Sequence, residues 1–251
     1  MNQEDRANPQ RRPTRRLGVT LTGKKIWVSE LVSIILLCVL LVPLLYISAV
    51  IIRNELAIHY LDREIAELKA EKVNLTRILK TMHERDRIAN ILNEVAGRRL
   101  KPETIHTLAD LVYQNSQQYG YDPELLLAVI AVESRFDSAA LGRYRSGNLS
   151  GALGLMQIKY PTALEVARTL GIRNLKEEDL FDPEINILLG TAYLTQLITR
   201  FRSLKLGILA YNLGPGTVRG TLSRREQLPI RYYEKVIAQY YKFKAIGRDE
   251  Y

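Results

Sequence analysis

Residues 119–137 read YGYDPELLLAVIAVESRFD, and this stretch decides the fold. Asp122 followed by Pro123 is a helix start: a short acceptor side chain suits the cap, and the proline ring fixes the φ of the first helical position. The helix opened there runs to about Arg135. Counting back from Glu133 by three, four and seven residues gives Ile130, Val129 and Leu126, so the carboxyl shares a face with an apolar stripe. On the N-terminal side, Thr104 caps a helix that reaches Tyr119 and stops at Gly120. On the C-terminal side a Gly- and Ser-rich loop spans 138–151. Further helical stretches cover 161–170, 183–201, 204–211 and 230–243. No two β-type runs are joined by a hairpin signal. The expected class is all-α, in a domain covering residues 101–251.

A carboxyl on an apolar face is partly desolvated, which raises its pKa and keeps it protonated near neutral pH. A neutral carboxylic acid in a cleft can protonate a leaving oxygen. Position alone leaves another reading open, a solvated glutamate near a helix end. Most glycosidases place two carboxylates across the scissile bond. The other acid near Glu133 in sequence is Asp137, which falls past the helix end and reads as a cap or loop residue.

Three further blocks accompany 119–137 in order: GALGLMQI at 151–158, LFDPEINILLGTAYL at 180–194 and LAYNLGPGTV at 209–218. Together they resemble the soluble lytic transglycosylase domain, which is related to goose-type lysozyme, over about 101–243. The resemblance implies a lysozyme-like catalytic fold and a role for each matching residue. Glu133 stands at the family's single catalytic acid/base, with Ser134 beside it. Met156 and Gln157 match the segment that lines the saccharide groove. Tyr211 and Asn212 match the Ala-Tyr-Asn element, whose tyrosine hydroxyl lies near the acid. Tyr233, in RYYEKV at 231–236, resembles the late tyrosine of the cleft. Without the family each has a plainer account: Met156 as core, Tyr211 as a buried ring with a satisfied hydroxyl, Gly214-Pro215-Gly216 as a turn. Two features depart from the family pattern. The loop after Glu133 is longer than usual, and the acidic-Thr pair common near the late tyrosine is missing. The implied reaction cleaves the β-1,4 bond between N-acetylmuramic acid and N-acetylglucosamine in peptidoglycan. The muramoyl C6 hydroxyl attacks C1 and leaves a 1,6-anhydro end.

The rest of the chain reads outward from this domain. Residues 31–52 contain no charged side chain. At 1.5 Å per residue they reach about 33 Å, enough for a hydrocarbon core of about 30 Å. Pro43 inside the run is tolerated in a membrane. Trp27 sits at the expected interface. Seven Lys/Arg and two acidic residues fall in 1–25, a balance of +5 (7 − 2) within a chain total of +9. That asymmetry puts the tail in the cytoplasm and the catalytic domain outside it. The expected location is therefore a bacterial cytoplasmic membrane, crossed once. A basic tail also suits nucleic acid, but an adjoining membrane explains it better. A cleaved signal peptide ending at Ile47-Ser48-Ala49 is the competing account of the apolar run. Cys38 lies inside the run; as the single cysteine it excludes an intrachain disulfide. Leu36 and Leu37 before it do not fit a lipid-attachment site.

After the membrane, Ile58, Leu61, Ile65, Leu68, Lys72, Leu75, Leu79 and Met82 alternate at spacings of three and four. This is a short heptad run with Lys72 at an a position. It reads as a seam for self-association into a homodimer, or as an amphipathic helix packed on its own domain. The stripe fades at Asp86, and Gly97 with Pro102 marks a linker. The resulting division is a basic tail at 1–28, a transmembrane helix at 29–52, a coiled-coil stalk and linker at 53–100, and the catalytic domain at 101–251. His59, His83 and His106 are scattered and lack ligand spacing, and no nucleotide fingerprint appears, so no metal or cofactor is expected. Two other functions fit this layout: a non-catalytic peptidoglycan-binding scaffold, and a hydrolytic lysozyme on the same fold.

Overall fold

The computed structural model describes residues 18–21, 24–144 and 146–247; most of the basic tail lies outside them. The chain divides into two units, Met1–Leu75 and Thr76–Tyr251. In the first, strands β1 (Gly18–Leu21) and β2 (Lys24–Trp27) pair antiparallel, with Gly18 opposite Trp27. Helix α1 (Val28–Ala96) follows and serves both units. It is the one helix among the described residues long and apolar enough to cross a membrane. Along its charge-free run the apolar side chains lie bare, Leu40 at 72% and Leu45 at 66% exposure. Two hydroxyls of that run turn inward: those of Ser33 and Ser48 donate to the Ser29 and Leu45 carbonyls, each at 2.9 Å. Pro43 lies inside the helix without ending it. Such internal satisfaction is what a lipid environment demands.

The second unit is built around α3 (Pro123–Glu133). Leu126, Leu127, Ala128, Val129 and Ile130 are all at most 1% exposed. They share one core with α2 (Pro102–Tyr119) and with Val236 and Phe243 of α8 (Arg231–Ile246). A second core joins α4 (Tyr160–Thr169) to a 3-10 turn at Glu178–Phe181 and to α5 (Pro183–Phe201). A third joins α5 to α6 (Leu204–Leu213) and α7 (Pro215–Ser223). Helix ends follow sequence chemistry. Gly120 closes α2 at φ 71°. The Asp182 side chain accepts from the Glu184 and Ile185 amides to cap α5.

Helix α2 starts at Pro102 with Lys101 at its cap position, so Thr104 lies inside it, and three further features differ from the sequence reading. The globular unit does not start at residue 101. Ile88, Ile91 and Leu92 of α1 are fully buried in the core that holds α3. The heptad stripe fades at Asp86 because the helix there turns a different apolar face to the domain. The loop after Glu133 forms strands β3 (Leu141–Arg143), β4 (Leu149–Leu153) and β5 (Ile158–Lys159) of a small antiparallel sheet. Leu141 and Leu149 face solvent at 48% and 56% exposure, so no apolar alternation marks these strands. Finally, Gly214-Pro215-Gly216 is more than a turn: Pro215 opens α7.

Asp122 occupies the N-cap position of α3, but its side chain makes no cap hydrogen bond. It accepts from the Tyr240 hydroxyl at 2.6 Å and pairs with Lys244 at 3.1 Å. Beside it Glu124 is fully buried and ion-paired with Arg87 of α1, which also holds Glu84. A buried charge that loses its partner is strongly destabilising. Arg87→Met is therefore expected to lower unfolding free energy by about 3 kcal/mol. Adding Glu124→Leu should recover much of that loss. Urea denaturation of the two variants and the parent checks both expectations.

Candidate active site

Glu133 is the last residue of α3, and Ser134 takes the C-cap, its amide bonded to the Ile130 carbonyl at 3.0 Å. Arg135 and Phe136 then adopt left-handed φ of 57° and 67°. Non-glycine residues seldom do so, and the pair turns the chain sharply away from the helix. The buried Phe136 anchors that turn. The result leaves the Glu133 carboxyl facing a cleft of about 850 Å³, which Ser134, Gln157, Tyr193, Tyr211 and Asn212 also line.

Desolvation by the surrounding core raises the Glu133 pKa to about 7, against a smaller lowering by a hydrogen bond from Tyr232. The Tyr232 hydroxyl of α8 donates to Glu133 Oε1 in a short contact. Burial holds the phenols of Tyr232 and Tyr211 well above their ordinary range, so both are neutral donors. The Tyr211 hydroxyl donates to the Met156 carbonyl at 2.8 Å. Its ring tilts against Tyr193, centroids 5.4 Å apart. Glu133 is the one carboxylate among the described residues that line the cleft, whereas Arg135, Arg143 and Lys159 give its wall positive charge. Asp137 holds a tight turn by accepting from the Ala139 amide at 2.9 Å, as expected of a loop acid.

The floor of the cleft is the 154–157 loop, held by α5. Asn186 is fully buried. Its Nδ2 donates to the Leu153 and Leu180 carbonyls, and its Oδ1 accepts from the Met156 amide at 2.7 Å. Gly154 has φ 73°, and a Cβ there would sit 2.3 Å from Asn186 Nδ2 and from the Leu180 carbonyl. Gly190 faces Met156, which a Cβ would meet at 2.6 Å. Gln157 takes a φ of 50°, and its Nε2 ties the Ala140 and Gly154 carbonyls at 3.0 and 2.8 Å.

The structure brings Glu133, Ser134, Gln157, Tyr211 and Asn212 together on one cleft, and corrects two other expectations. The Met156 side chain does not line the groove. It is fully buried, with its sulfur accepting from the Thr191 hydroxyl at 3.6 Å; only its backbone carbonyl serves the site. Nor does Tyr233, expected as the late tyrosine of the cleft, line it. It packs toward α6 beneath Lys205, whose Nζ is 5.6 Å from the ring centroid. Its neighbour Tyr232 reaches Glu133 instead, because one residue rotates a helical side chain by about 100°. A signal for this existed. Tyr232, Val236 and Phe243 fall on one helical stripe, and the last two are the buried residues of α8.

Fold and site together are a mainly helical domain whose cleft carries one carboxyl among the described residues. Residues 110–233 match the transglycosylase SLT domain. The chain is 30% identical over 159 residues to a membrane-bound lytic murein transglycosylase E from Buchnera aphidicola, spanning 59% of this chain and 72% of that protein. It is 39% identical over 123 residues to a membrane-bound lytic murein transglycosylase C from Photorhabdus laumondii, covering 45% of this chain but only 33% of that one. Against the 70 kDa soluble lytic transglycosylase of Escherichia coli, identity is 26% and the TM-score 0.43, over 55% of this chain and 24% of that one. The chain belongs to the soluble lytic transglycosylase family and is an enzyme of that class.

The raised pKa has a stability consequence. Between the ordinary carboxyl value of 4.5 and about 7 the folded protein holds a proton on Glu133 that the unfolded chain has lost. Stability therefore falls as pH rises through this window and levels off above it. Glu133→Gln removes that penalty. The variant is expected to match the parent at pH 4 and to exceed it at pH 8 by up to about 3 kcal/mol. Thermal melts across this range test the assignment, and a gap independent of pH would contradict it.

Proposed function

We propose that this chain cleaves the β-1,4 bond between N-acetylmuramic acid and N-acetylglucosamine of peptidoglycan, with Glu133 serving as acid and then as base. The observation that carries the reading is a lone cleft carboxyl whose pKa is raised to about 7. A carboxyl of that strength is populated in both protonation states near neutral pH, which suits a group that must give and then accept a proton. In the first step Glu133 protonates the glycosidic oxygen, and the C1–O bond breaks. With no second carboxylate on the cleft among the described residues to serve as nucleophile or to activate water, the substrate supplies its own. The muramoyl C6 hydroxyl attacks C1 and returns its proton to the Glu133 carboxylate, leaving a 1,6-anhydro product and consuming no water.

The surrounding groups take supporting roles in this reading. Tyr232 orients the carboxyl and stabilises its charged form. Tyr211, Ser134, Gln157 and Asn212 shape the groove for the sugar, and Arg135, Arg143 and Lys159 suit a polymer that carries peptide carboxylates. A helix fit to cross a membrane precedes the domain, and both curated relatives are named membrane-bound. The positive charge of residues 1–25 assigns the N-terminus to the cytoplasm and the domain to the outside of an inner membrane.

Two experiments test the reading. Purified protein incubated with peptidoglycan is expected to release anhydro-muropeptides, each lighter by one water than a lysozyme product. Glu133→Gln should lose activity by at least about 10³-fold. Hydrolytic products, or near-normal turnover by the variant, would refute the mechanism. In the pH profile of kcat/KM, Tyr232→Phe removes a bond that lowers the Glu133 pKa, so the alkaline limb should move to higher pH. Tyr233→Phe should leave that limb in place.

A further inference from the structure

The stripe on α1 from Ile58 to Met82 is exposed. Leu68 and Leu75 are 58% and 52% exposed. Within the globular unit the same holds: Leu79 and Met82 are 66% and 54% exposed while Ile88, Ile91 and Leu92 are buried. The face that α1 turns to its own domain is thus a different one. With Ile58 at a, the large buried side chains Ile88, Ile91 and Leu92 fall at c, f and g, and the buried residues that fall at d are the small Ala89 and Ala96.

We propose that this stripe is the seam of a parallel two-stranded coiled coil with a second copy of the chain. The core positions favour two strands. The a positions carry Ile58, Ile65, Lys72 and Leu79 and the d positions Leu61, Leu68, Leu75 and Met82, and isoleucine at a with leucine at d selects dimers. The flanking charges complement a parallel partner. Glu64 at g stands opposite Lys69 at e of the second strand, and by symmetry the pair occurs twice. No g–e′ pair between residues 57 and 83 sets like charges together. Lys72 at a lies next to Glu71 at g of the second strand, where its long stem can lie along the apolar seam and its ammonium leave it. A polar a residue of this kind fixes register at a cost in stability. The run is short, but two anchors in one membrane hold the strands parallel and at high effective concentration.

The test uses the full-length protein in membranes, with Cys38→Ser as background. In that background Leu68→Cys, at d, is expected to form a disulfide-linked dimer on mild oxidation, and Ala70→Cys, at f on the outer face, is not. Adding Glu64→Lys to Leu68→Cys replaces two attractions by repulsions and should cut the dimer yield about threefold. Adding Lys69→Glu as well restores both pairs with reversed sign, and should restore the yield. Retained activity of the reduced cysteine variants on soluble glycan confirms that they fold. Cross-linking equal at 68 and 70, or absent at 68, would overturn the proposal. So would a Glu64→Lys loss that Lys69→Glu does not rescue. Neither result depends on the chemistry at Glu133.

Discussion

The burial of α3 is the constraint on which the rest depends. Its interior residues are enclosed on every side, and it carries an acid toward each end. The two ends treat that acid in opposite ways. Glu124 is fully buried beside Arg87, with Lys244 near, and its ion pairs join α1, α3 and α8. Glu133 has no such cation. The influences on its proton are desolvation and the Tyr232 hydroxyl, and the first is larger. A buried carboxyl with a cationic partner is a structural tie, and one without keeps its proton to a higher pH.

Helix α8 is tied to both ends of α3. Tyr240 and Lys244 hold Asp122 at the start of the helix, while Tyr232 holds Glu133 at its end. The acid is therefore positioned by the same packing that stabilises the domain. The floor of the cleft follows a similar logic. Asn186 bonds the Leu153 and Leu180 carbonyls through its amide hydrogens and the Met156 amide through its carbonyl, so α5 sets where Gln157 and the Tyr211 acceptor stand. Buried networks of this kind are rigid when every polar group is satisfied.

Much of this was legible in local sequence. The Asp-Pro starts, the Gly120 stop and the apolar run through α3 are local signals, because capping and φ preference act within a few residues. The charge-free run of α1 needed only a count. The small sheet after Glu133 was hidden, since its strands point leucines at solvent and lack the alternation that marks a buried face. The docking of Ile88, Ile91 and Leu92 was hidden too. Their spacing continues a helix already begun, and only the domain they touch tells that face from the seam.

Local signals along the chain carry the helical class, the apolar run, the heptad stripe and a glutamate on an apolar face. Tertiary structure alone decided what that glutamate faces. Whether Tyr232 or Tyr233 meets it depends on the rotation of α8, set by the burial of Val236 and Phe243 some distance along the helix. Whether Met156 faces sugar or core depends on Gly190, which leaves room for it in another helix. A raised carboxyl pKa needs burial from several elements without a cation in contact, and both are properties of the assembled core rather than of any one segment.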